Sequence, residues 1–382
     1  MNRGYTTPFR GKYLIRNPLA NGVITLVDAC LWLWRLGTKR HGNIPLPQKI
    51  LISNISQLGD VIMMTSLLPA LKKALPEVKV GVIVGSWAEQ LVHGHSLIDH
   101  VHFLDHWKVA RSSLSRWDKI KRYRDMRLTA LKEIQDVHYD CALECCYYFP
   151  NTIRLIDRAK IPVRIGFTSG GFGPLLTHPV QWTNRLQSAA HHFADLLSLI
   201  TPIDRTFLKP TLPLISCSSI LPPKTYLVIH MGSGNPIKEW PTEHWHLLCQ
   251  KLTADGHTLA FTGKGEKEAH AIHSVIQDLP RCINLCDRLS WEEFIALIKE
   301  AKLLIGVDTG PGHIAAATAT PSVLIYSGIN PIQHWSPFSP TAHILMHPMP
   351  CYPCYKMNGC TAMECVRNVS VETMYQKIRS LL

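Results

Sequence analysis

The sequence predicts an α/β protein of two successive Rossmann-like halves, and three observations carry that expectation. Apolar runs of strand length alternate with longer segments of helical period, once from Ile50 and again from Tyr226. Between the two series, from Asp204 to Pro223, the periodicity stops. Pro210, Pro213, Pro222 and Pro223 stand there among Ser and Cys, the composition of an interdomain linker. A chain of 382 residues also exceeds what one modest core organises, so two domains are the natural division, with a ligand cleft expected between them.

In the first half the run Ile50 to Ile55 reads as a buried strand. It leads through Ser56-Gln57-Leu58-Gly59-Asp60 into a helix over Val61 to Leu75, with Ile62, Leu67, Leu68, Leu71 and Leu75 at helical spacing. Pro76 precedes a second strand, Val78 to Val84. Strand-like Val101 to Leu104, a basic helix over Leu114 to Ile134 and strand-like Tyr139 to Leu143 continue the alternation. The second half opens with strand Tyr226 to His230, then helix Glu243 to Ala254, strand Thr258 to Thr262 and helix Lys267 to Gln277. Helix Trp291 to Glu300, strand Leu303 to Val307 and strand Ser322 to Tyr326 follow. The expected organisation is an extension over 1–47, an N-terminal domain over 48–215 and a C-terminal domain over 216–382.

Lys and Arg number 40 against 28 Asp and Glu, a net charge of +12. The excess is concentrated. Residues 1–47 hold Arg3, Arg10, Lys12, Arg16, Arg35, Lys39 and Arg40 against Asp28 alone, and 108–132 holds nine basic residues against Asp118 and Asp125. Such clusters attract phosphate-bearing partners, and no nucleic-acid-binding module is recognisable among them. No uncharged run long enough to span a bilayer exists, because Asp28 interrupts the apolar segment Asn17 to Trp34. That segment, rich in Leu and Trp with flanking cations, reads as an amphipathic helix suited to a membrane interface, or as a helix packed on its own domain. The 12 cysteines are scattered singly except for the adjacent Cys145-Cys146 and four near the C-terminus, which is cytosolic usage rather than a disulfide framework.

The most informative stretch is Ile305-Gly-Val-Asp308-Thr309-Gly310-Pro311-Gly312-His313-Ile-Ala-Ala-Ala317. A buried strand is broken by a Gly-rich turn that opens an Ala-rich helix. Backbone N–H groups left unpaired at such a helix start suit a diphosphate, and an ordinary tight turn is the bland alternative. Lys238 follows the loop Gly232-Ser233-Gly234 and reads as a phosphate-facing cation or a solvated surface residue. Glu266 or Glu268, beyond Gly263 and Gly265, is placed to accept from a ribose or to sit on a helix surface. Asp60, at a strand end and a helix start, reads as a general base for a hydroxyl nucleophile or as a helix cap. The chain contains no Asp-x-Asp, so a departing diphosphate would be neutralised by Lys238 and the Thr309–His313 terminus rather than by Mg²⁺. Cys351, Cys354, Cys360 and Cys365 have metal-ligand spacing, suited to structural Zn²⁺ or iron, with packed thiols or a disulfide as the alternatives.

Taken in order, Leu58-Gly59-Asp60, Leu68-Pro69-Ala70-Leu71, Arg164-Ile165-Gly166-Phe167, Lys238-Glu239-Trp240-Pro241, Asp308 to Ala317, Pro321 and the Cys351–Cys365 cluster resemble the ADP-heptose:lipopolysaccharide heptosyltransferases of glycosyltransferase family nine. The resemblance covers about residue 48 to the C-terminus. It implies a GT-B architecture, two Rossmann-like domains facing across a cleft, with acceptor on the N-terminal and ADP-heptose on the C-terminal domain. It matches Asp60 to the family's general base, and Lys238 and Asp308 to His313 to its diphosphate-binding groups. Ser233 and Gly234 fall in the matching loop, and Glu266 falls near the nucleotide-contacting acid, with Glu268 left open. Two departures stand out: the long N-terminal extension, and Met231-Gly232-Ser233-Gly234 where the family usually has a Pro-Gly-Ala-type loop.

The expected activity is therefore inverting, metal-independent transfer of heptose from ADP-heptose to the inner core of lipopolysaccharide. No cofactor is required, and the place of work is the cytoplasmic face of the inner membrane, with a lipid-linked saccharide as acceptor. The alternatives are a same-fold transferase using another nucleotide sugar or a protein acceptor, and a catalytically inactive nucleotide-binding partner of a transferase. The presence of Asp60, Lys238 and His313 together argues against the last.

Overall fold

The computed structural model describes residues 12–15, 17–35, 42–110, 112, 114–183, 186–214, 222 and 225–382. Arg3, Arg10, Arg16, Lys39, Arg40 and Arg111 of the basic clusters lie outside the described residues, as do 215–221, Pro223 and Lys224 of the linker. The chain divides into two compact units, Met1–Leu214 and Ile215–Leu382.

The first unit runs α1 (Pro18–Trp34), β1 (Lys49–Ser53), α2 (Leu58–Thr65), α3 (Leu67–Ala74), β2 (Lys79–Val84), α4 (Glu89–Val92) and β3 (His100–Phe103). It continues with α5 (Arg116–Val137), β4 (Cys141–Glu144), α6 (Ile153–Arg158), β5 (Val163–Phe167), β6 (His178–Val180) and α7 (Ala189–Leu197). Its six strands are parallel in the order β3-β2-β1-β4-β5-β6. Helices cover both faces of such a sheet, which is why β1, β2 and β4 read as unbroken apolar runs rather than as alternation. The single helix expected over Val61 to Leu75 starts earlier, at Leu58, and is two helices meeting at Ser66. Pro69 is the cause: it has no N–H to give the Thr65 carbonyl one turn back. The Thr211 hydroxyl donates to that carbonyl instead, at 3.4 Å, while the Thr211 N–H donates to Thr65 Oγ1 at 3.0 Å.

Helix α1 is attached to this unit by one face. Asp28, which interrupts the apolar run in the sequence, is buried; it accepts from the Tyr13 hydroxyl at 2.9 Å and from the Phe172 N–H at 2.8 Å. Burial raises its carboxyl above the ordinary range against the pull of those two bonds. Ile24 lies over Gly171, where φ is +83° and an added Cβ would come within 2.4 Å of the Ile24 side chain. Leu31 and Phe172 pack against Ile153, Leu175 and Leu176. At the helix end Arg35 pairs with Asp157 of α6. No described helix is long and apolar enough to cross a membrane.

The second unit runs β7 (Tyr226–His230), α8 (Thr242–Ala254), β8 (Thr258–Thr262), α9 (Glu266–Ile276), β9 (Cys282–Asn284) and α10 (Trp291–Glu300). Then come β10 (Leu303–Val307), α11 (Gly310–Thr318), β11 (Ser322–Ile325), α12 (Ile332–Trp335), β12 (Ala342–Leu345), α13 (Glu364–Arg367) and α14 (Val371–Arg379). Its sheet is parallel too, ordered β12-β11-β10-β7-β8-β9. With each unit's strands counted from its own first, both sheets have the Rossmann order 3-2-1-4-5-6. In both, the order reverses between two adjacent strands: β1 and β4 in the first unit, β7 and β10 in the second. Ligands of open parallel sheets bind beyond the carboxyl ends of the strands at such a reversal.

Candidate active site

In the first unit, β1 ends at Ser53, opposite Glu144 at the end of β4. The chain leaving β1 turns into α2, and Asp60 lies in that helix's first turn, buried. Its Oδ2 accepts from the Gln57 N–H at 3.0 Å and from the Tyr148 hydroxyl at 3.2 Å. Asp60 thus caps α2, the bland alternative at the sequence level, while standing at the switch point where a base would be needed. Capping and base catalysis do not compete, because a carboxylate fixed by two donors is also an oriented one.

Tyr148 is on the loop leaving β4, and that loop is held from beneath. Glu144, wholly buried, accepts from the Cys146 N–H at 3.0 Å and from both the N–H and the hydroxyl of Thr152 at 2.5 Å. Ser53 Oγ lies 2.7 Å from the Thr152 hydroxyl and ties the loop to β1. Burial pushes the Glu144 carboxyl up to about 7, although its hydrogen bonds pull the other way. Burial likewise holds the Tyr148 phenol well above its usual value, and the charge of Asp60 adds to this. Sequence reading missed Glu144 and Tyr148. The only signal was an acid closing the apolar run Tyr139 to Leu143.

In the second unit, the loop leaving β7 carries Ser233, Gly234 and Lys238. Ser233 Oγ accepts from the Asn235 N–H at 3.2 Å, which tightens the turn. Trp240 anchors the segment: it is buried and its indole N–H donates to the Val369 carbonyl at 3.0 Å. Lys238 Nζ thereby comes 2.6 Å from Asp308 Oδ2 and 3.4 Å from the Asp308 carbonyl, at the end of β10. The next residue, Thr309, is the N-cap of α11, and its side chain makes no capping bond. It reaches back to the Val307 carbonyl at 3.4 Å. The start of this helix therefore lacks the usual side-chain acceptor, and Pro311 brings no N–H to it. Gly312 lets α11 lie close on the sheet, since a Cβ there would meet the Leu324 side chain at 2.6 Å. His313 is buried in the first turn, with Nδ1 making no hydrogen bond. Burial, with the Lys238 charge adding, lowers its pKa to about 4 against the opposing pull of Asp308, so the ring is neutral near pH 7.

Beyond β8 the two acids separate. Glu266 opens α9 on the exposed surface, whereas the Glu268 side chain lies between the two glycine loops. A Cβ on Gly232 would come within 2.2 Å of the Glu268 carboxyl and one on Gly263 within 2.8 Å, and Glu268 Oε2 accepts from the Lys264 N–H at 3.0 Å. Lys238, Asp308, the α11 start and His313 are brought together, with Ser233 and Gly234 on the same loop as Lys238. Asp60 stands at the other unit's switch point.

The C-terminal thiols Cys351, Cys354, Cys360 and Cys365 are free, and burial, with the nearby Cys354, Cys360 and Cys351 adding, raises the Cys365 thiol above its usual value. Among the described residues no group of three or more His, Cys, Asp or Glu is arranged to hold a metal ion. As placed, the four thiols do not fit a closed metal site.

Comparison with known proteins places this geometry. A family model described as glycosyltransferase family 9 (heptosyltransferase) matches residues 132–363, more than half of the chain. Lipopolysaccharide heptosyltransferase 3 of Escherichia coli is 24% identical over 301 residues, 74% of this chain and 84% of that protein. A glycosyltransferase family 9 structure from Veillonella parvula superposes with a TM-score of 0.71 at 18% identity, covering 90% of this chain and 99% of that one. The E. coli heptosyltransferase WaaC, solved with ADP, superposes with a TM-score of 0.70 at 18% identity, covering 87% and 100%. The fold is the GT-B α/β class, and the chain is a glycosyltransferase belonging to family 9, the heptosyltransferase family.

Proposed function

We propose that the protein transfers heptose from ADP-heptose to the inner core of lipopolysaccharide, with inversion at the anomeric carbon and without a catalytic metal. Residues 48–215 bind the acceptor and 216–382 the donor. Asp60 takes the proton of an acceptor hydroxyl, whose oxygen attacks the anomeric carbon from the face opposite the diphosphate. The bond from that carbon to the phosphate oxygen breaks, and ADP leaves with the bonding pair. Lys238 and the backbone N–H groups at the start of α11 neutralise the charge that develops. An ammonium carries three donors; Asp308 takes up two, and the third is assigned to the diphosphate. Glu268, rather than the exposed Glu266, is assigned to the nucleoside ribose. The absence of any Asp-x-Asp from the sequence supports the metal-free reading.

The observation that carries this proposal is the Lys238–Asp308 pair beside a helix start without a side-chain cap. It brings an ammonium, oriented by its carboxylate partner, and an uncapped helix start to the switch point of the second unit, as Asp60 stands at that of the first. The relatives add the sugar: proteins named lipopolysaccharide heptosyltransferase align along most of the chain, and WaaC was also solved with ADP-2-deoxy-2-fluoro heptose. The experiment is to measure nucleotide release from ADP-heptose and from other nucleotide sugars, with and without deacylated lipopolysaccharide acceptor. Acceptor-dependent release of ADP from ADP-heptose supports the reading. Release from another donor, or with a protein acceptor, replaces it with the sister activity, and nucleotide binding without turnover replaces it with a binding partner. Work at the cytoplasmic face of the inner membrane belongs to the same proposal. So does a structural metal on the four C-terminal thiols, which requires them to close up from their present positions and which elemental analysis of the purified chain tests.

A further inference from the structure

Helix α1 leaves an unusual surface. Its docked face, Ile24, Asp28 and Leu31, uses up the only charge in the helix. The opposite face carries Leu19, Val23, Leu26, Leu33 and Trp34 at helical spacing, with Gly22, Ala29 and Cys30 between them and no charged residue. Leu19 is 82% exposed, Leu26 69% and Trp34 72%. Large apolar side chains aligned along about four turns of one helix are not the scattered exposure of an ordinary surface. Trp32 and Trp34, both exposed, lie in the last turn of the helix, next to Arg35, whose guanidinium lies 5.3 Å from the Trp34 ring centre.

A second helix of the same unit supplies the complementary charge. On α5, Trp117, Lys121, Arg124, Leu128 and Lys132 fall on one side at helical spacing, and all five are exposed. Lys121 and Lys132 have no carboxylate partner among the described ion pairs. The two helices are joined through α6: Arg35 at the end of α1 pairs with Asp157, and α5 and α6 share one apolar cluster. A protein helix seated on α1 would be registered by flanking charges of both signs, and this face has none. An apolar stripe ending in indoles, joined through α6 to a cationic helix with interspersed Trp and Leu, is the chemistry of the water–lipid interface.

We propose that the outward face of α1 is a lipid-docking surface that enters the headgroup region of an anionic membrane, with the cationic side of α5 adding electrostatic attraction. The surface stands apart from the transferase residues. It places the chain where a lipid-anchored acceptor is presented, yet it holds or falls independently of the donor.

The test is co-sedimentation of the full chain with vesicles of phosphatidylethanolamine and phosphatidylglycerol, against vesicles of phosphatidylcholine. The wild-type chain is expected to bind the anionic vesicles and to be released progressively by salt. Leu26→Glu, at the centre of the stripe, should lower the partition coefficient by about tenfold or more, because a charge replaces the isobutyl group that enters the lipid. The pair Lys121→Glu and Arg124→Glu should lower it by about tenfold or more on anionic vesicles and little on neutral ones. All three positions are exposed, so melting temperatures and turnover of a deacylated, water-soluble acceptor should stay at wild-type values. Unchanged vesicle binding in Leu26→Glu overturns the proposal. So does a lipid-free dimer that Leu26→Glu converts to monomer, which would make a second copy the occupant. Loss of all turnover with intact vesicle binding would instead count against the transferase reading alone.

Discussion

The two units have the same strand order and the same reversal point, yet each places a different group there: a carboxylate at the first, a lysine paired with a carboxylate at the second. At the first, helix α2 starts beneath a carboxylate of its own: Asp60 accepts from Gln57 and occupies the position where an anion would otherwise sit. At the second, α11 starts with Thr309, whose hydroxyl turns back into the sheet, and a lysine stands alongside. On the proposed reading the group at a helix start decides whether a Rossmann switch point repels or receives a phosphate. Topology selects the place and the cap selects the ligand. On that reading the first unit takes an uncharged nucleophile that must lose a proton, and the second a leaving group that must gain compensation.

Removing the first unit's carboxylate should have the largest effect. Asp60→Ala is expected to lower kcat by about 10³-fold, within the range of general-base losses, with ADP affinity within about twofold of wild type. Loss of the cap costs about 1 kcal/mol, seen as a few degrees in melting temperature. Near-normal turnover would remove Asp60 from the chemistry and leave it a cap. Lys238→Ala should come next, lowering kcat by about 10²-fold and weakening ADP binding in calorimetry. A loss in KM with kcat intact would mean the lysine binds ground state and transition state alike.

A sharper test converts one switch point into the other. Thr309→Asp supplies α11 with the side-chain acceptor it lacks. It should hold or raise the melting temperature while weakening ADP binding by about tenfold, since the new carboxylate takes the anion's place. Unchanged ADP affinity in this variant would show that the diphosphate does not use the helix start.

The smallest expected effect is on stability against pH, and the units should differ in sign. The Glu144 carboxyl is raised from 4.5 to about 7 in the folded chain, so its contribution is fully present below pH 4.5 and is lost as pH rises through about 7. The His313 imidazole is lowered from 6.5 to about 4, so its contribution is present above pH 6.5 and is lost as pH falls through about 4. Denaturant melts between pH 4 and 8 should therefore show Glu144→Gln flattening the neutral side of the profile and His313→Asn the acid side. A Glu144→Gln profile parallel to wild type would mean that the Thr152 and Cys146 bonds keep the carboxylate charged.

Much of the second unit was legible because its central strands are short apolar runs bounded by clear breakers. Tyr226–His230, Thr258–Thr262 and Leu303–Val307 have the same limits in sequence and structure. Of the edge strands, β3 was legible as Val101 to Leu104, but β6 and β9 were not. Cys282–Asn284 is three half-buried residues, and His178–Val180 contains a proline that an edge strand tolerates, so neither leaves a pattern. The break at Ser66 depended on Pro69 and on a partner, Thr211, that no local window includes. Glu144 was missed for a related reason. An acid at the end of an apolar run looks solvated until Thr152, eight residues on, is seen to satisfy it. The choice between Glu266 and Glu268 was likewise closed to the sequence, because both follow the same glycines and only the packing against Gly232 separates them.

Gly171 has a consequence beyond the first switch point, although its loop packs on the one that carries Tyr148. The interfacial helix rests on a loop at a spot with no room for even a methyl group, in a backbone conformation that other residues resist. A substitution such as Gly171→Val, made outside the helix and outside the reaction centre, would pry α1 loose. The result should be an enzyme that still works on dissolved acceptors but has lost its foothold where acceptors are anchored.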